Sequence, residues 1–89
     1  MKKINNRFSL TVFRKDNHEV AFDIEYYISN LPDDAIDFAK QMIDKYNNFT
    51  NEIWLFDNNL CCNVAKVYKN ENDNNVYVKC YATLWCRIT

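Results

Sequence analysis

The chain has 89 residues and a mass of 10.7 kDa, and it contains no glycine, one proline and fourteen asparagines. Without glycine it cannot form a Walker A loop, a G-x-G-x-x-G dinucleotide turn or a G-x-S-x-G nucleophile elbow, because each needs a residue without a Cβ. A net charge of −1 argues against binding of duplex DNA, and it is also too close to zero for a mimic of DNA. The length predicts a single compact domain over residues 1–89.

Two alternating segments open the chain and predict a pair of half-buried strands. Residues 7–13 and 19–27 each place an apolar side chain at every second position. The polar residues 14–18 between them predict a hairpin loop, in which Asn17 is best suited to a positive φ. The side chains predicted to point inward are Phe8, Leu10, Val12, Val20, Phe22, Ile24 and Tyr26.

Residues 33–46 change from alternation to helical spacing. Apolar side chains recur three and four positions apart, and Pro32 just before them suits the first position of a helix. Three aspartates near the expected start and Lys45 near the expected end complement the helix dipole. The apolar stripe consists of Ile36, Phe38, Ala39, Met42, Ile43 and Tyr46, and the aspartates are Asp33, Asp34 and Asp37.

Three more strands are predicted after the helix, at residues 52–56, 60–69 and 76–88. Residues 52–56 are apolar on both faces, which is typical of a central strand covered on both sides. Turns rich in asparagine, at residues 57–59 and 70–75, separate these strands. The order ββαβββ predicts an α+β fold, with an antiparallel sheet of four to five strands and one helix packed on one face.

The last predicted strand carries the first candidate binding surface. Its outward positions hold three aromatic and two cationic side chains, which are typical of protein-binding hot spots or of a platform that stacks nucleic-acid bases. The alternative is ordinary cross-strand packing, with the cations paired to Asp23 and Glu25 if those strands are neighbours. An exposed patch would be covered by a partner or by a second copy of the chain. The outward residues are Tyr77, Lys79, Tyr81, Trp85 and Arg87, with Phe13, Trp54 and Phe56 available to the same face.

The acidic start of the helix is the second candidate surface. Asp33 and Asp37, and likewise Asp34 and Asp37, are spaced so that their side chains share a helix face. Such a face is able to bind a basic partner or a divalent ion, although the helix dipole alone also favours acidic residues here. These three aspartates are therefore included among the expected partner-binding residues.

No catalytic or metal-binding constellation is expected. His18 is the only histidine, and a solvated loop residue is a better interpretation of it than a base for Cys61 or Cys62. The four cysteines include no C-x-x-C pair, and Cys80 and Cys86 lie too far apart on one strand to share a zinc ion or a disulfide. We expect reduced thiols, no cofactor and no enzymatic activity.

In length and composition, rather than in any motif, the chain resembles small products of AT-rich phages and mobile elements, which are short, poor in glycine and rich in asparagine and lysine. Many such proteins are anti-defence inhibitors, anti-CRISPR proteins among them, or immunity proteins that neutralise a toxin. The resemblance implies a non-enzymatic protein that inhibits or regulates a larger macromolecular machine by occupying its surface. The alternatives are a module that stacks RNA or single-stranded DNA on the aromatic-basic strand face, and a toxin-neutralising immunity protein.

A membrane partner is not expected. The basic N-terminus is followed by no apolar segment, and no run approaches the roughly 18 apolar residues of a membrane span. We therefore expect a cytoplasmic protein, in the host cell if a phage encodes it.

Overall fold

A computed structural model of the chain describes residues 7–81, and it confirms the predicted α+β class and the order ββαβββ. Within these residues the strands form one antiparallel sheet in the order β2-β1-β3-β4-β5, and the helix lies between β2 and β3 in the chain. The elements are β1 (Phe8–Phe13), β2 (Val20–Tyr26), α1 (Pro32–Lys45), β3 (Glu52–Asp57), β4 (Cys62–Lys69) and β5 (Val76–Cys80).

The hydrophobic core lies between one face of the sheet and α1. Alternation along the strands sends every second side chain to this face, where the apolar stripe of the helix covers it. Burying one such side chain completely contributes about 1.5–3 kcal/mol, so this layer supplies most of the driving force for folding. The core residues are Phe8, Leu10, Val12, Tyr26, Ala35, Ile36, Ala39, Ile43, Ile53, Leu55, Val64, Ala65 and Val67.

The helix begins and ends where the sequence predicts. Pro32 occupies the first turn, where its missing N–H costs nothing, and Lys45 lies in the last turn. Ala35 and Ala39 are fully buried against the sheet, because their short side chains allow the helix backbone to approach it closely.

The central position of β3 is confirmed, but the prediction that both of its faces are covered is wrong for residues 7–81. Ile53 and Leu55 are fully buried under the helix. Trp54 and Phe56 point to the other face and are only half-buried, because the single helix covers one side of the sheet. The apolar side chains on this second face are therefore surface residues.

The first hairpin loop reaches its left-handed turn at a different residue from the one predicted. His18, rather than Asn17, has a positive φ of 60°. The Asn17 Oδ1 atom instead accepts a hydrogen bond from the N–H of Glu19 at 3.0 Å. This bond stabilises the loop on both sides of His18. The prediction for Asn17 was wrong because its amide serves as a hydrogen-bond acceptor.

The two later turns also use residues other than glycine in left-handed geometry. Asn74 has a φ of 63°, in agreement with the predicted role of asparagine in the loop of residues 70–75. In the turn between β3 and β4 the left-handed residue is Cys61, with a φ of 56°, and not Asn58 or Asn59. A side chain with a Cβ is strained in this region, so Cys61 is a position where glycine would fit better.

Asp57 is a fully buried carboxylate at the end of β3. Arg7 donates to its Oδ2 from Nε at 3.1 Å, and Arg7 Nη2 forms an ion pair with the same oxygen at 3.0 Å. The backbone N–H groups of Asn59 and Leu60 donate to its Oδ1 at 2.8 and 3.3 Å. The buried charge is thus fully hydrogen-bonded, and it joins the residue before β1 to the turn after β3.

At the opposite end of the same two strands, a buried hydroxyl makes a similar connection. Thr50 is completely buried, and its Oγ1 donates to the carbonyl of Phe13 at 2.5 Å. Hydrogen bonds that involve side chains therefore join β1 to β3 at both ends of their paired region.

Candidate interaction surface

The face of the sheet away from the helix is the largest candidate surface, and no element of residues 7–81 covers it. Alternation places polar, charged and aromatic side chains there in place of a second core layer. We call this surface the open face. Its residues are Ser9, Thr11, Phe13, Asp23, Glu25, Glu52, Trp54, Phe56, Lys66, Tyr68, Tyr77, Lys79 and Tyr81.

Three of the residues predicted on the last strand lie on the open face. Tyr77 and Tyr81 are 39% and 47% exposed, and Lys79 is exposed as well. The predicted Trp85 and Arg87 lie outside the described residues.

The alternative interpretation, in which Lys79 pairs with Asp23 or Glu25, is wrong. Lys79 is on β5 and the two carboxylates are on β2, and these strands form opposite edges of the sheet. Lys79 instead lies directly opposite Lys66 of β4. Its charge is therefore available to a partner.

A stack of two aromatic rings forms the centre of the basic half of the open face. The rings of Trp54 and Tyr81 are nearly parallel, with 5.3 Å between centroids and 13° between planes. Lys66 Nζ lies 5.6 Å from the Trp54 ring centroid, and Lys79 Nζ lies 5.6 Å from the Tyr81 ring centroid. The two opposed ammonium groups repel each other, and each gains a cation–π contact that offsets part of that repulsion.

Sequence reasoning missed Lys66 and Tyr68 as members of this surface. Lys66 Nζ also lies 5.0 Å from the Tyr68 ring centroid, and the Tyr68 and Tyr77 rings are 5.9 Å apart. The available signal was the alternation of β4, together with its expected place beside β5. A bulge in that strand buries both Val64 and Ala65, which interrupts the alternation just before Lys66.

The indole of Trp54 is held in place by Glu52. Its Nε1 donates to Glu52 Oε2 at 2.5 Å, and His18 Nε2 lies 3.0 Å from Glu52 Oε1. Burial alone would raise the pKa of Glu52, but the hydrogen bonds from His18 and Trp54 outweigh it and hold the pKa below its ordinary value. The His18 ring also stacks on Phe13, with centroids 5.2 Å apart. A shallow concavity of about 330 Å³ lies over these four residues and is completed by Thr11 and Asn63.

Charge is divided across the open face. Asp23 and Glu25 lie on the side of β1 and β2, and Lys66 and Lys79 lie on the side of β4 and β5. The Ser9 hydroxyl donates to Glu25 Oε1 at 3.2 Å. The open face therefore presents an acidic half and a basic half with aromatic rings on the basic side.

The predicted aspartates of the helix lie on the other side of the molecule. Asp33, Asp34 and Asp37 are all exposed at the start of α1, and Asp34 and Asp37 lie near Tyr26 at the end of β2. The structure thus separates the predicted site residues into two surfaces, the open face and the start of the helix.

Asp34 and Asp37 border a groove of about 410 Å³ between β2 and α1, which we call the acidic groove. Its floor contains Tyr26 and Phe38, whose ring centroids are 5.0 Å apart with a tilt of 43°. Burial, followed by the negative charges of Asp34 and Asp37, raises the pKa of Tyr26. The groove is completed by Ile28 and Gln41.

The described residues contain no cluster of three or more His, Cys, Asp or Glu side chains placed to hold a metal ion. Cys61 and Cys62 are both exposed as free thiols, and Cys80 is half-buried. His18 is oriented by Glu52, a residue 34 positions away in the chain. The fourth cysteine, Cys86, lies outside residues 7–81.

No helix within residues 7–81 is long and apolar enough to cross a membrane. Comparison with known proteins gave no match, whether to a protein-family model, to a curated protein or to a solved structure. A function for the chain must therefore be argued from its own residues.

Proposed function

We propose that this chain is a small, non-enzymatic binding protein that inhibits or regulates a larger macromolecular machine by occupying its surface. By composition, the class we favour is an anti-defence, anti-CRISPR-like inhibitor from a phage or mobile element, acting in the cytoplasm of the host cell. The observation that carries the proposal is the open face, where the Trp54–Tyr81 stack lies within a basic half and an acidic half adjoins it.

The aromatic stack has the properties of a binding hot spot. Tryptophan and tyrosine dominate the energetics of protein interfaces because they bury a large area with few rotatable bonds. Trp54 is already fixed by its bond to Glu52 and by its contact with Tyr81. Little side-chain entropy is then lost when a partner binds, which favours affinity.

The arrangement of charge favours a protein partner over a nucleic acid. A single-stranded nucleic-acid site needs a positive groove that follows the phosphates. On the open face Asp23 and Glu25 would lie beside such a backbone and repel it, whereas a protein surface can supply charges of both signs.

Binding of RNA or single-stranded DNA remains the second candidate, supported by one specific feature. Tyr81 is an exposed ring with Lys79 above it, which is the combination that stacks a base and neutralises a phosphate. A salt titration separates the two functions. Nucleic-acid binding should weaken steeply with salt, in proportion to the phosphates contacted, and a protein complex of mixed charge should weaken much less.

The proposal is tested by capture with the tagged protein from a host lysate, followed by reconstitution with the purified partner. Tyr81→Ala and Lys79→Glu alter the open face at exposed positions, and Lys40→Glu is the matched charge reversal on the exposed side of the helix. We expect the partner's activity to be inhibited by the wild type and by Lys40→Glu, and not by either open-face variant. Wild-type inhibition by both open-face variants would contradict the assignment of the interface to the open face.

A further inference from the structure

We propose that the acidic groove is a second binding site, and that it takes the side chain of an arginine from a basic segment of a protein partner. The identity of the partner rests on the proposed function. The groove itself lies on the helix side of the sheet and is chemically independent of the open face.

The floor of the acidic groove suits a planar cation. The Phe38 ring is half-buried, so it is the ring that a ligand can reach, and it packs on the buried Tyr26 ring with 5.0 Å between centroids. The π face of such a ring attracts positive charge. A guanidinium is planar and weakly hydrated, and it stacks on aromatic rings more readily than an ammonium group does. This floor therefore favours arginine over lysine.

The rim of the groove supplies the opposite charge. Asp34 and Asp37 are three residues apart on α1, so both carboxylates face the same side of the helix. Neither of them forms a salt bridge with any residue in the described range 7–81. Two free carboxylates above an aromatic floor match the several N–H donors of a guanidinium.

A buried hydroxyl is the independent observation that points to a ligand. Tyr26 is only 4% exposed and lines the groove, yet its hydroxyl has no hydrogen-bond partner within residues 7–81. Buried polar groups in proteins are nearly always hydrogen-bonded. An arginine in the groove would donate an N–H to this oxygen and satisfy it.

Apolar side chains next to the groove indicate what flanks the arginine. Ile28 is 77% exposed, and Tyr27 and Leu31 are also exposed in the connection between β2 and α1. Of these three, Ile28 lines the acidic groove itself, where it can contact an apolar side chain of the ligand. The expected ligand is therefore an arginine beside an apolar residue.

The site is tested on the purified chain with N-acetyl-arginine amide, followed through backbone amide shifts in NMR. N-acetyl-citrulline amide is the neutral control, since it has nearly the same shape without the charge. We expect arginine to shift the amides of residues 26–41 in a saturable way, and citrulline to shift them at least about 10-fold more weakly. Equal titration by citrulline, or by N-acetyl-lysine amide, would overturn the assignment to arginine.

Variants locate the binding within the groove. Asp34→Asn with Asp37→Asn should weaken arginine binding about 10-fold or more, and Tyr26→Phe, which removes only the hydroxyl, should weaken it about 3- to 10-fold. Asp44→Asn is the matched control near the other end of the helix and should bind as the wild type does. Wild-type binding by the double variant would overturn the proposal. Because no partner is used, either result leaves the test of the open face unaffected.

Discussion

The ion pair between Arg7 and Asp57 allows a sharp test of what stabilises this fold. The buried carboxylate of Asp57 accepts one hydrogen bond from Arg7, with which it also forms an ion pair, and two from the backbone of the following turn. Arg7→Ala leaves a buried charge with only the two backbone bonds. A hydrogen bond to a charged group contributes about 1.5–3 kcal/mol, and Arg7 is partly exposed, so we expect the free energy of unfolding to fall by about 2–4 kcal/mol.

Asp57→Ala removes the charge, the ion pair and all three hydrogen bonds. Its former donors can recover water, because Asn59 and Leu60 are exposed and the Arg7 side chain is 26% exposed. We expect a loss of about 3–5 kcal/mol. The double variant should be little worse than Asp57→Ala alone, which gives a coupling energy of about 2 kcal/mol. Urea unfolding followed by circular dichroism measures all four proteins.

The exposed pair of Arg14 and Asp16 provides the control cycle. Its nitrogen and oxygen atoms are 3.1 Å apart, nearly the same distance as in the buried pair, but both side chains are in solvent. Screening by water and side-chain entropy should make its coupling clearly smaller. Equal coupling energies in the two cycles would refute the reasoning, since burial is the property in which the pairs differ.

Three further outcomes are expected from the same unfolding assay. Ile43→Ala should lower the free energy of unfolding by about 2–4 kcal/mol, because Ile43 is fully buried; a loss below about 1 kcal/mol would mean that the core is loosely packed there. The pKa of Glu52 is held below its ordinary value, so the wild type should be more stable than Glu52→Gln above about pH 5 and should lose that advantage below about pH 4. A difference independent of pH would contradict the lowered pKa of Glu52. Cys61→Gly should stabilise the protein by up to about 1 kcal/mol because Cys61 has a positive φ, while Cys62→Gly on β4 should destabilise it by about 0.5–1 kcal/mol. Effects of the same sign would count against strain at Cys61.

The strands and the helix could be predicted because their periods depend on local geometry alone. Phe8, Leu10 and Val12 are all fully buried, as their alternation predicts. The helix stripe behaves in the same way, with Ile36 and Ile43 buried at helical spacing. A sequence contains this information within a window of a few residues.

Features that depend on distant partners could not be predicted in the same way. Asp57 appears in the sequence as a turn residue, and its burial depends on an arginine 50 positions earlier. The Trp54–Tyr81 stack crosses β4, so it requires knowledge of which strands are neighbours. The Tyr26 hydroxyl, which has no hydrogen-bond partner within residues 7–81, depends on where the start of the helix lies beside the end of β2. Each of these is a fact of tertiary structure with no local signal.

The order of the strands has a consequence for how the chain reaches this fold. β1 pairs with β2, β3 pairs with β4, and β4 pairs with β5, and each of these pairs joins strands that are consecutive in the chain. The pairing of β1 with β3 instead spans the helix. The Arg7–Asp57 contact at one end of that pairing closes 50 residues. Closing a loop of this length costs about 3–4 kcal/mol in chain entropy before any contact repays it.

Formation of the β1–β3 pairing, which we call the seam, is therefore expected to be the slow step of folding, since non-local strand pairing limits the folding rates of small domains. The sheet has two halves, the β1–β2 pair and the β3–β4–β5 strands, and neither can form the complete core alone. The helix lies over β3 and β4, and β1 and β2 complete the core beside them. The two halves must then form together. The buried side chains of Thr50 and Asp57 at the ends of the seam make the chain a single cooperative unit rather than two hairpins that open separately.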